Sequence, residues 1–142
     1  MQRRSFLTLA TALAATLVTA LPSHAEDTLV VIANAPLRGV DAEAIKRIYT
    51  GRLIEIDGLA LRPVNAAPGS ALRRSFLAAI VKQSDEDYLA YWTVRRYIGK
   101  GVPPRDLASS AEVIAYVQQT PGALGYIEAS EVRSGMNVVL RR

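Results

Sequence analysis

A few short stretches hold residues whose types and spacing bear on chemistry. The first is Pro68-Gly69-Ser70-Ala71-Leu72-Arg73-Arg74. A glycine lets backbone approach a ligand closely. A serine caps a helix with its hydroxyl, and the first-turn N–H groups point outward at the positive end of the helix dipole. Arg73 or Arg74 would add charge-assisted bonds to an oxyanion. Gly69, Ser70, Ala71, Leu72 and Arg73 are therefore the candidate anion-binding residues. The same parts also make an ordinary helix start whose arginines face water.

The acidic stretches point to less. Asp85-Glu86-Asp87 has the composition of a metal or acid/base cluster, yet acids at a helix start stabilise the positive dipole end and need no other role. Glu128 and Glu131 follow an expected strand and are spaced to pair as acid and base, with no nucleophile beside them. Tyr88, Tyr91, Trp92 and Tyr97 next to Arg95 and Arg96 are types that stack bases. At helical spacing they read better as a packing face, and no nucleic-acid partner is expected. No P-loop, dinucleotide fingerprint or EF-hand pattern is present, and no metal or cofactor is expected.

Missing residue types narrow the chemistry further. The 142 residues include no cysteine and a single histidine, His24. His24 falls in a stretch laid out as a secretory signal peptide. Met1-Gln2-Arg3-Arg4 is the positive start, Ser5 to Leu21 is apolar and uncharged, and Pro22-Ser23-His24-Ala25 ends small-x-small before Glu26-Asp27. Residues 1–25 are read as the signal peptide, cleaved after Ala25, and residues 26–142 as one domain in the periplasm. Arg3-Arg4-Ser5-Phe6-Leu7 also resembles the twin-arginine export motif, with Gln2 and Thr8 departing from it. Both export routes stand open. After cleavage no membrane span is expected. The exported part then has neither His nor Cys, which sets aside disulfides, thiol nucleophiles, Cys/His zinc sites and Ser-His-Asp triads. Arg3 and Arg4 leave with the signal and no acid does, so the exported part has less excess positive charge than the whole chain's +4.

The elements that must position these residues alternate between strand and helix. Leu29 to Ala33 is a continuous apolar run, as in a strand buried on both faces. Asp41 caps a helix through Ile45, Ile48 and Tyr49 that Gly51 ends. Asp57-Gly58 is a turn, and Leu61 to Asn65 a second strand. Ser70 opens a helix with a stripe of Leu72, Phe76, Ala79 and Ile80. Ser84 or Asp85 opens the next, which stops at Gly99 to Pro104. Ser109-Ser110-Ala111-Glu112 is a capping box for a helix ending at Gln119. Ala123 to Ile127 and Met136 to Leu140 read as further strands. Lys46 to Gly51 and Arg95 to Lys100 echo each other as basic, aromatic helix ends closed by glycine. They are read as two independent C-caps.

With the elements in order, a resemblance emerges. It runs from Tyr91-Trp92 through Gly99-Lys100-Gly101-Val102-Pro103-Pro104 and Ser110-Ala111-Glu112-Val113 with Val117. It continues into Thr120-Pro121-Gly122-Ala123-Leu124-Gly125-Tyr126-Ile127. Upstream, the Ile45 to Gly51 helix and Gly69-Ser70 with Phe76 fit in order. The whole resembles the short substrate-binding-protein-like domains related to phosphate ABC importers. The resemblance implies an α/β fold, a single lobe of type II periplasmic-binding-protein-like architecture with a small mixed sheet flanked by helices. It implies a non-catalytic solute-binding component for a small oxyanion such as phosphate, with a membrane transporter or other envelope protein as partner. It also implies a phosphate site at a Ser-Gly-Thr helix start preceded by an arginine and an acid. The matching stretch here is Ser70-Ala71-Leu72, with Ala66 at the arginine position and no acid between Asn65 and Ser70. Two alternatives stand beside this reading: a ligand-free protein-interaction or sensor-accessory module of the envelope, and an enzyme built on Glu128 and Glu131.

Overall fold

The computed structural model describes residues 28–34 and 37–142, so the expected export segment lies outside the described residues. Five strands form one mixed sheet in the order β5-β4-β6-β1-β7. β4 (Arg62–Asn65) runs parallel to both β5 (Arg105–Asp106) and β6 (Ala123–Glu128). β1 (Leu29–Ala33) runs antiparallel to β6 and to β7 (Asn137–Arg141), with a bulge between Val31 and Ile32 on the β7 side. A separate hairpin, β2 (Glu55–Ile56) and β3 (Leu59–Ala60), folds over the expected Asp57-Gly58 turn. This is the small mixed sheet flanked by helices that the resemblance implies.

The central strands are apolar without alternation because helices cover both faces. On one face Val31, Leu124 and Tyr126 pack against α1 (Ala42–Tyr49), α2 (Ala71–Phe76) and α3 (Asp85–Tyr97). Tyr49 meets the edge of Phe76 at 4.6 Å, and Phe76 stacks on Tyr126 at 3.9 Å between ring centroids. On the other face Val30, Ile32, Val64 and Ile127 pack against Val113 and Val117 of α4 (Ser110–Gln119). α4 comes this close because Gly125 leaves its side of β6 bare. A methyl group there would sit 2.5 Å from Val113 Cγ1 and 3.2 Å from Val117 Cγ2.

Aromatic residues of α3 finish the C-terminal end of α1. The Tyr49 carbonyl accepts from the Tyr88 hydroxyl at 2.8 Å and from Trp92 Nε1 at 3.3 Å. The Thr50 carbonyl accepts from the Tyr91 hydroxyl at 2.7 Å. Arg95 donates to the carbonyls of both Gly51, at 3.4 Å, and Lys100, at 3.3 Å. The two helix ends read as independent C-caps are thus one joined structure.

Two elements depart from expectation. The two-residue β5 is defined by its pairing with Val64 and Asn65 and carries no strand pattern of its own. The helix begun at Ser70 widens into a π-turn over Leu77–Val81 and ends at Lys82, a non-glycine residue at φ 65°. Its buried side runs through Arg73, Phe76, Leu77, Ile80 and Val81, one position round from the expected stripe.

Two outcomes follow from this packing. Gly125→Ala is expected to destabilise the domain by about 1–3 kcal/mol, an overpacking cost. Adding Val113→Ala should recover part of it, read from urea-unfolding midpoints of the single and double variants. Burial pushes up the hydroxyl pKa values of Tyr49, Tyr88 and Tyr126, with the neighbouring tyrosines adding to the effect at Tyr49. The folded state then holds these protons above the ordinary tyrosine value of 10.0 while the unfolded chain releases them. Stability should be undiminished by these groups below about pH 10 and fall as pH rises beyond it.

Candidate functional site

The candidate anion residues lie on the turn that leaves the carboxyl end of β4. Gly69, at φ 75°, makes the turn, and Ser70 is extended as an N-cap residue must be. Ser70 Oγ accepts from the Arg73 N–H at 3.3 Å. The Gly69 N–H donates to Asp85 Oδ2 at 3.0 Å, and the Arg74 guanidinium donates to the Gly69 carbonyl.

Arg73 points inward, not toward a ligand. It is only 5 % exposed. Nε meets Asp85 Oδ1 at 2.9 Å, and Nη1 meets Asp106 Oδ1 at 2.6 Å and the Ala66 carbonyl at 3.2 Å. Burial by itself would lower the guanidinium pKa. The hydrogen bond to Asp106 and the charges of Asp106 and Asp85 outweigh it and leave the group firmly cationic. The arginine expected to meet an oxyanion therefore meets two of the chain's own carboxylates. Asp85, expected only to favour the dipole of α3, is the internal counter-ion. The reason is periodicity: position 73 falls on the buried side of its helix, and a buried charge requires partners.

The other three candidates do reach an open cleft. Ser70, Ala71 and Leu72 line a space of about 280 Å³ together with Ser109, Ser110 and Val113 at the start of α4, and with Tyr126, Glu128 and Glu131. It lies outside the carboxyl ends of the parallel strands β4, β5 and β6, where open α/β sheets place their ligands. Two helix starts face it. Among the described residues, no acceptor meets the N–H groups of Ala71 and Leu72, or those of Ser110 and Ala111. These donors and the hydroxyls of Ser70 and Ser110 are what the cleft offers an anion.

The α4 half of this site was legible only as a cap. Ser109 Oγ accepts from the Glu112 N–H at 3.2 Å as expected. The Glu112 carboxylate reaches past Ser109 to the Ala108 N–H at 2.8 Å. Glu128 and Glu131 form a capping box around the 3-10 turn Ala129–Glu131, in which Glu131 Oε2 accepts from the Glu128 N–H at 3.1 Å. This local bonding accounts for their spacing. The aromatic set divides: Tyr88 and Trp92 are buried and Tyr97 is exposed, so they form no common stacking face. Among the described residues, no group of three or more potential metal ligands comes together.

No protein-family model and no curated protein sequence matches the chain. Solved structures do. An ABC-type phosphate transport receptor from Vibrio cholerae superposes with a TM-score of 0.61 at 17 % identity, over 80 % of this chain and 45 % of the receptor. A Clostridium perfringens protein with bound phosphate, described as a phosphate ABC transporter substrate-binding protein, gives 0.63 at 24 % identity, over 80 % and 44 %. PstS from Borrelia burgdorferi gives 0.58 at 17 %, over 80 % and 46 %.

Separating Arg73 from its carboxylates should cost stability. Arg73→Ala is expected to destabilise by about 2–4 kcal/mol, reduced from a fully buried pair because Asp106 touches water. Asp85→Asn should cost more than Asp106→Asn, since Asp85 is the more buried partner and also holds the Gly69 amide. Urea unfolding of the three variants checks the magnitude and the order. At these identities the likeness establishes the fold: the chain is one α/β lobe of the kind found in these phosphate transport proteins, spanning less than half the length of each of the three.

Proposed function

We propose that this chain is an exported, non-catalytic solute-binding domain, taking a small tetrahedral oxyanion such as phosphate in the cleft between Ser70 and Ser110. One observation carries the reading: the starts of α2 and α4 turn unfilled N–H groups toward the same cleft, outside the carboxyl ends of three parallel strands. The fold shared with receptors named for phosphate transport supports the choice of ligand. The ligand set differs from that expected at Ser70-Ala71-Leu72 alone. Ser70, Ser110 and the amides of both helix starts contact the anion, while Gly69 and Arg73 support the turn from behind.

Glu128 and Glu131 sharpen the proposal. A carboxylate beside an anion site accepts a hydrogen bond from a protonated oxyanion and repels one with no proton to give. Hydrogen phosphate satisfies this and sulfate does not. The signal-like residues 1–25 support a periplasmic location, and a membrane transporter is the natural partner for a solute delivered there. No helix among the described residues is long and apolar enough to cross a membrane.

The test is thermal unfolding in phosphate, sulfate and chloride at constant ionic strength. Phosphate at about 100 times its dissociation constant should add roughly 2.7 kcal/mol, several degrees in a domain of this size. Sulfate should add less. Ser70→Ala and Ser110→Ala should each reduce the phosphate shift. Equal shifts with all three anions, or none, would remove the oxyanion site and favour the protein-interaction module instead.

A further inference from the structure

At the opposite end of the strands lies a second concave surface, of different character. A groove of about 240 Å³ runs between the β2–β3 hairpin and the Val102-Pro103-Pro104 segment, with Leu53, Ile54, Leu61 and Trp92 along it. Its walls are apolar and open to water. Ile54 is 69 % exposed and Val102 68 %. Large apolar side chains grouped this way on a soluble surface mark a contact site.

The surroundings of the groove are cationic. Arg95 bonds the Gly51 and Lys100 carbonyls and so holds the two basic helix ends side by side. Arg47, Arg52, Arg96, Lys100 and Arg105 stand exposed on or beside these ends. Among the described residues the only ion pairs are those of Arg73, so none of these cations has a carboxylate partner. Asp106, next to Arg105, is taken by Arg73, and the hairpin adds Glu55 and Asp57, so the exposed cations still outnumber the acids. Cations do favour helix C-termini, and the Arg105 guanidinium lies 5.5 Å from the centre of the Tyr116 ring, but neither accounts for the apolar groove between them.

We propose that this groove docks an extended acidic segment of a partner protein through one bulky apolar side chain. Charge complementarity sets the acidic character of the flanks. The concave shape and volume suit a single Leu, Phe or Trp anchor, whereas a flat lipid surface would meet only the rim. Arg105 belongs to β5, the edge strand of the sheet, whose outer main-chain groups are open to an added strand. The site is independent of the oxyanion cleft, which lies at the other end of β4.

The experiment selects short random peptides displayed on phage against the purified protein. Affinities of the selected peptides are then measured by fluorescence anisotropy at two salt concentrations. Selected peptides should carry Asp and Glu around one bulky apolar residue and bind less tightly at high salt. Val102→Asp and Lys100→Glu, at exposed positions, should each weaken binding by about tenfold or more while melting like the parent. The proposal fails if no peptides are selected, if they lack acidic flanks, or if both variants bind them unchanged. It fails equally if phosphatidylglycerol–phosphatidylethanolamine vesicles bind through these residues and acidic peptides do not, which would make the face a membrane contact.

Discussion

A guanidinium inside a protein must find carboxylates, and much of this domain's layout answers to that requirement. Arg73 draws together the turn after β4, the start of α3 and the end of β5. Its partners lie 12 and 33 residues away, so the contact closes the chain on itself around one charge. Removing either side would strand the other in a poorly hydrated place. Because Asp85 also takes the Gly69 amide, the same ion pair sets where α2 begins and which of its N–H groups face outward.

That arrangement explains why the cleft has the character it does. With Arg73 neutralised internally, the open face of α2 presents amides and a hydroxyl and no side-chain cation. A second helix start adds more amides in place of the missing charge. Selectivity in such a site rests on geometry and on the protonation state of the ligand, since backbone donors recognise oxyanions in general.

Much of this was legible from residue patterns, and the rest was hidden for definite reasons. β1 and β6 announce themselves as unbroken apolar runs, and α1, α3 and α4 by their Asp41, Ser84 and Ser109 caps. β5 was hidden because two exposed residues, Arg105 and Asp106, carry no alternation to read. The direction of Arg73 was hidden because adjacent arginines lie about 100° apart on a helix, and the choice between them turns on one position of phase. Leu72 and Ala79 suggested one phase; Leu77 and Val81 fix the other. The Ser109-Ser110 half of the cleft was visible as a capping signal, but only the parallel pairing of β4 with β5 brings it beside Ser70.

The aromatic grip of α3 on α1 bears on how the molecule opens. An eight-residue helix is marginal by itself. Here its last carbonyls are held by the hydroxyls of Tyr88 and Tyr91 and by the indole of Trp92. α1 therefore cannot fray at that end unless α3 moves with it. The pair should therefore open as one cooperative unit in hydrogen exchange, although 35 residues of chain separate the last residue of α1 from the first of α3.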